Sequence, residues 1–206
     1  MNLARFYIGH QQAHEAIGLL RAAAADRPEL ETDPAYLGMR GAANYLAGRL
    51  KEAEDSLSRG SLRNDPSASL WRAMVAAKKG EWERAIELFR ASDRQLYLYS
   101  SARGADFAVV WAEAALQAND FDAARRMATF AVTNGEIETK QRGQLALANL
   151  KAAVESPAAA WPEFKRLAET AVEPVAVRAE LRRLELGVPA GKLTAVEAAA
   201  ELEGLR

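Results

Sequence analysis

Ala73-Met74-Val75-Ala76-Ala77-Lys78-Lys79-Gly80-Glu81-Trp82-Glu83-Arg84-Ala85-Ile86-Glu87-Leu88-Phe89 reads as two helices joined by one tight turn. Gly80 is the hinge, because glycine tolerates the left-handed backbone that ends a helix. Trp82, two places later, is expected to pack back against the helix just finished. Ala85 then lets the second helix approach the first closely, and Phe89 supplies a large knob on the same face one turn on.

Working outward, the same phrase recurs. His14-Glu15-Ala16-Ile17, Lys51-Glu52-Ala53-Glu54 and Phe121-Asp122-Ala123-Ala124 align with Glu83-Arg84-Ala85-Ile86 on Ala16, Ala53, Ala85 and Ala124, which lie 37, 32 and 39 residues apart. Gly48-Arg49-Leu50 and Asn119-Asp120-Phe121 repeat the turn, and Gln11-Gln12-Ala13 is a weaker version of it. Twelve residues before each alanine stands another small residue: Ala4, Gly41, Ala73 and Ala112. Four residues after it come Leu20, Leu57, Phe89 and Ala128, and seven after it Ala23, Gly60, Ser92 and Ala131. Small groups at these depths predict hairpins nested closely enough for dispersion contacts to form along their length.

This spacing resembles the tetratricopeptide repeat (TPR) family, which pairs a Leu-Gly-x-x-Tyr phrase with Ala-x-x-x-Phe and a closing proline. The first repeat matches through Leu3-Ala4-Arg5-Phe6-Tyr7, Ala16, Leu20 and Pro28; the second through Gly41, Ala53, Leu57 and Pro66, with Asn44 in place of the tyrosine. The third matches through Ala73, Gly80, Ala85 and Phe89, and the fourth through Trp111-Ala112 and Ala124. The resemblance implies an all-α fold, a TPR-like α-solenoid of stacked antiparallel helix hairpins coiled into a right-handed superhelix. About four degenerate repeats fill residues 1–136.

Residues 137–206 read as further helical hairpins or a C-terminal cap of the same solenoid. A helix over 139–154 is expected first, and Ser156-Pro157 opens another reaching about Ala171. Glu173-Pro174 breaks that helix; the next, 175–186, is closed by Gly187, and Thr194 with Glu197 makes a capping box for the last. Only Met1 and Asn2 precede the first matched leucine, so the chain is expected to be a fragment of a larger protein.

Composition narrows the function. Half the residues are hydrophobic but few are aromatic, and alanine supplies much of the apolar share, which favours packed helices. With 27 basic and 28 acidic residues the net charge is −1, so nucleic acid is not an expected partner. There is no cysteine, which excludes disulfides and thiolate metal sites. No apolar run has the length of a membrane span and no signal peptide is visible, so a soluble segment is expected, cytoplasmic or periplasmic. The Ala/Arg-rich usage suggests a bacterial source.

No catalytic motif emerges. His10 and His14 straddle the first turn and lack a third ligand, so surface histidines are the expected reading. Pro189-Ala190-Gly191-Lys192-Leu193-Thr194 lacks the preceding glycine and the adjacent Gly-Lys-Ser/Thr of a phosphate loop and reads as a turn. Most of Trp71, Trp82, Trp111 and Trp161 are expected in the core. No cofactor and no enzymatic activity are expected.

The resemblance also implies where a ligand sits, since the first helices of TPR hairpins line a concave groove that takes peptides or helices. The corresponding residues are Arg5, Ile8, Gly38, Ala42, Tyr45, Leu70, Met74, Val109, Glu113 and Leu116. Positions matching the family's carboxylate clamp hold Arg5, Met39, Ser67 and Trp71, a single cation, so that clamp is not expected. The expected partner is an apolar or aromatic-anchored protein or peptide segment seated between Tyr45 and Met74, or a second copy of the chain filling the same groove. The leading reading is a non-catalytic protein–protein interaction scaffold. Alternatives are a regulatory or substrate-recruiting domain of a larger enzyme and a self-assembling structural module.

Overall fold

The structure, a computed structural model, describes residues 1–204. Among them every regular element is helical: thirteen α-helices and two short 3-10 turns, with no strand. None of these helices is long and apolar enough to cross a membrane. The chain divides into two compact units, 1–99 and 100–206. The division falls between the third and fourth hairpins.

Unit 1 contains α1 (Asn2–Gly9), α2 (Ala13–Asp26), α3 (Pro34–Leu46), α4 (Leu50–Leu57), α5 (Pro66–Lys78), α6 (Trp82–Ala91) and the single turn α7 (Asp93–Leu96). Unit 2 contains α8 (Ser101–Gln117), α9 (Phe121–Asn134), α10 (Ile137–Val154), α11 (Pro157–Thr170), α12 (Val175–Gly187) and α13 (Ala195–Gly204). Each unit has a central helix that touches helices on both sides. In unit 1, α3 packs against α1, α2, α4 and α5; in unit 2, α10 packs against α8, α9, α11 and α12.

The four hairpin turns share one backbone conformation. Each has three residues, and the middle one is left-handed: Gln11 at φ 58°, Gly48 at 73°, Gly80 at 79° and Asn119 at 58°. The next N–H then reaches back five residues, from Gln12 to Tyr7 O (2.9 Å), Arg49 to Asn44 O (2.8 Å), Glu81 to Ala76 O (2.9 Å) and Asp120 to Ala115 O (2.8 Å). The middle N–H bonds the carbonyl three residues before it in every case, which completes a Schellman motif. The same closure gives the chain one direction of return each time. At Gly48 an added Cβ would meet nothing within 4 Å, so only the backbone matters there. Gly48→Ala is therefore expected to cost unit 1 about 1 kcal/mol. Gln11→Gly should recover a few tenths of a kcal/mol, because glycine's extra unfolded-state freedom offsets part of the relief. Urea denaturation of the two variants checks both signs.

Because the turn is fixed, the distance from the first-helix small residue to the anchoring alanine is fixed too. Ala4, Gly41, Ala73 and Ala112 are all buried, as are Ala16, Ala53, Ala85 and Ala124. Leu20, Leu57, Phe89 and Ala128 are buried on the same faces. Expectation fails at the position seven after the alanine. Ser92 and Ala131 are buried there, but Ala23 is half-open and Gly60 is exposed. The reason is local: α4 stops at Leu57, so Gly60 lies beyond it in a 3-10 turn (Gly60–Leu62).

The uneven repeat interval also has a place in the fold. Insertions sit between hairpins, in the 3-10 turn Pro28–Thr32 and in α7 with the segment after it, while the hairpins keep their register. Two of the connections end on Asp-Pro. Asp33 Oδ1 accepts from Tyr36 N (2.8 Å) and Asp65 Oδ1 from Ala68 N (2.9 Å), with Pro34 and Pro66 at the first helical position. Pro66 thus opens α5, and the proline read as closing a repeat starts the next. Glu54 on α4 accepts from Lys79 Nζ (2.9 Å) and Arg84 Nη1 (3.1 Å), and both cations also reach Glu81. The Lys79 hydrogen bond, with Arg84 beside it, holds the Glu54 carboxyl below the usual carboxylate range.

The tail helices follow their caps. Ser156 Oγ accepts from Ala159 N (3.2 Å) at the start of α11. Thr194 N donates to Glu197 Oε2 (2.7 Å) while Glu197 N donates to Thr194 Oγ1 (3.2 Å), a reciprocal capping box ahead of α13. The helix α12 ends at Gly187, and a left-handed turn follows at Gly191, φ 64°, with Lys192 N bonding Gly187 O at 2.9 Å. Gly187 is also a contact point, where a Cβ would lie 2.5 Å from Leu193 Cδ1.

Candidate functional site

In unit 1 the residues nominated for a groove are mostly in the interior. Ala42, Leu70 and Met74 are buried in α3 and α5, and Leu70 has no exposed surface. Tyr45 is half-buried, its ring edge-on to Trp71 with centroids 5.8 Å apart. Between Tyr45 and Met74, neighbouring first helices bring Tyr45 and Trp71 into contact, and Met74 is buried. Arg5 is exposed, while Ile8 and Gly38 are half-buried, and a Cβ on Gly38 would have open space.

Unit 1 does have a cleft of about 610 Å³, but it lies among α2, α3 and α4. Arg40 is its hub. The guanidinium pairs with Glu31, donates from Nε to Ser56 Oγ (3.0 Å) and lies 5.5 Å from the centroid of the Tyr36 ring. Burial, and then Glu31, push the Tyr36 phenol up from its ordinary value. Arg21, Arg40 and Arg59 face Glu31, Glu52 and Asp55 around this cleft, so its charges cancel.

In unit 2 the nominated Val109 is fully buried. Glu113 and Leu116 fare differently. They lie on α8 at the edge of a cleft of about 590 Å³ that α10 and α12 complete. The cleft is built by amphipathic helices. On α12, Val175, Ala179 and Leu184 are buried, and Val175 and Ala179 join Phe164 and Leu167 in one cluster. An adjoining side of α12 presents Arg178, Leu181, Arg182 and Glu185 to the cleft, one helical face at i, i+3, i+4 and i+7.

Glu113 is the electrostatic centre. Its Oε1 accepts from Arg142 Nε (3.2 Å) and Oε2 from Arg142 Nη2 (2.8 Å), the fork-to-carboxylate geometry that arginine favours. Arg178 Nη1 reaches Oε1 as well, at 3.3 Å. Arg182 donates from Nε to Asn149 Oδ1 (2.8 Å) and from Nη1 to Glu185 (2.6 Å). Leu116, Phe121, Leu145 and Ala146 supply apolar wall between these polar groups. The arrangement offers guanidinium forks beside aliphatic surface, a surface suited to holding a partner by charge and burial together.

Sequence reasoning did not nominate Arg142, Asn149, Arg178 or Arg182, because the groove was sought only in the hairpins of residues 1–136. The arginines spaced four apart on α12 were the signal available. His10 and His14 are both exposed, and the described residues contain no group of three or more His, Cys, Asp or Glu that could hold a metal. Trp71 and Trp111 are buried, whereas Trp82 and Trp161 are half-buried; the Arg183 guanidinium lies 5.8 Å from the Trp161 ring centroid. No family model, curated protein or solved structure matches the chain.

Proposed function

We propose that this chain is a TPR-like α-solenoid segment that acts as a non-catalytic scaffold, binding a segment of a partner protein along the first helices of its hairpins. One observation carries the reading. In unit 2 the first helices α8, α10 and α12 lie side by side and leave a half-exposed face over a cleft, while their other faces are spent on the core. A cleft of about 590 Å³ walled by leucines and guanidiniums accommodates side chains of a bound segment. The repeated Schellman turns support the solenoid half of the proposal, since one turn conformation used four times returns each second helix in the same way.

The test is a selection from a random peptide display library on the full chain, followed by binding to a Leu116→Asp/Leu181→Asp variant. Selected peptides are expected to bind the variant at least about tenfold more weakly, at unchanged helicity, since charges would replace the apolar wall. A selection that yields nothing, or peptides that bind both proteins equally, would remove this function from the α8–α10–α12 face.

A further inference from the structure

We infer that the α8–α10–α12 cleft recognises an acidic–aliphatic segment of a partner protein, with carboxylates seated on Arg178 and Arg182 and aliphatic side chains against Leu116 and Leu181. The inference rests on the partner-binding reading and names the chemistry of the partner. Its basis is the charge of the cleft. Three guanidiniums, from Arg142, Arg178 and Arg182, share it with two carboxylates, from Glu113 and Glu185. The cleft is cationic in a chain whose net charge is −1, unlike the balanced cleft of unit 1.

The positions of these groups matter as much as their number. Arg178 and Arg182 stand one helical turn apart, with side chains 47% and 40% exposed. Two like charges at that spacing repel, and an incoming carboxylate relieves the repulsion. Each guanidinium carries about five N–H donors. Arg178 gives one to Glu113, and Arg182 gives two, to Asn149 and Glu185. The two bonds hold the Arg182 plane and the single one tethers Arg178, and both leave donors for a ligand, so less side-chain entropy is lost on binding. Leu181 sits between the two arginines in sequence and is 38% exposed, and Leu116 faces it from α8 across the same cleft. A segment that alternates carboxylates with aliphatics matches this order. A nucleic acid strand does not, because its phosphates come with no aliphatic side chains to set against Leu116 and Leu181.

Three fluorophore-labelled probes decide the matter by anisotropy on the full chain: a peptide alternating pairs of Glu and Leu, its counterpart with Lys for every Glu, and a single-stranded oligothymidylate of similar length. The Glu peptide is expected to bind at least about tenfold more tightly than the Lys peptide, and less tightly as salt rises, as half-exposed charge pairs require. Arg178→Gln/Arg182→Gln should weaken the Glu peptide by about tenfold or more while leaving the thermal transition in place. Equal binding of the two peptides, an unaffected double variant, or tighter binding of the oligonucleotide would each overturn the inference. The partner-binding reading fails separately. If display-selected peptides need Leu116 and Leu181 but carry no acidic residues, the cleft still binds a partner and only its acidic character is wrong.

Discussion

Replacing Gly41 by leucine should lower the melting temperature of unit 1 by on the order of 10 °C, since overpacking costs about 1–3 kcal/mol and each kcal/mol moves a domain of this size by about 4–8 °C. The cause is a single contact. A Cβ built on Gly41 would lie 2.5 Å from Leu57 Cγ and 2.7 Å from Leu57 Cδ2, so α3 and α4 meet there with no room for even a methyl group. Leu57 is fully buried and has no open side toward which to swing. Leucine's better helix propensity recovers less than about 1 kcal/mol of the loss.

A second pair of variants separates packing from propensity. Gly41→Ala and Leu57→Ala should each destabilise, the latter by about 2–5 kcal/mol through the cavity it leaves. Together they should cost less than the sum, because the new methyl occupies part of the space that Leu57 vacates. Additive effects, or a Gly41→Leu protein that melts with wild type, would mean that α3 and α4 do not depend on this approach.

Phe164→Ala should be among the most damaging single truncations in unit 2, costing about 3–5 kcal/mol. Phe164 has no exposed surface and is the largest member of the cluster formed with Leu145, Ala148, Ala160, Leu167, Val175 and Ala179. That cluster joins α10, α11 and α12. Its small residues cannot reach across the cavity, so little relaxation is available to offset the loss. The consequence extends to the cleft: Val175 and Ala179 seat the helix α12 that carries Arg178 and Arg182. Guanidine denaturation should therefore report a lower midpoint, and peptide capture in the cleft should weaken in parallel. A loss below about 1 kcal/mol would show that the neighbours close over the gap.

Reading the chain without coordinates went furthest where physics is local. Gly48, Gly80 and Asn119 mark left-handed turns because few residues tolerate that backbone, and the anchoring alanines follow at a distance set by the turn itself. Gln11 adopts the same conformation with no favourable residue type, so there the surrounding hairpin, not the residue, decides. The caps at Ser156 and Thr194 were legible for the same reason, since donor and acceptor lie within three residues of each other. The site was much less legible. Leu70, Met74 and Val109 carry the same helical spacing as groove residues, yet they are buried. Glu113 was nominated from α8, but its partners Arg142 and Arg178 lie 29 and 65 residues further along.

The sequence alone determined the helices, their turns and the small residues between paired helices, all of which follow from backbone conformations and hydrogen bonds spanning a few residues. Only the tertiary structure decided which faces of the first helices are covered and which stay open. Exposure depends on neighbours far along the chain, and the same apolar stripe can meet a core, a second helix or water. The guanidinium cleft of unit 2 is of that second kind: three helices bring its charges together, and none of them carries it alone.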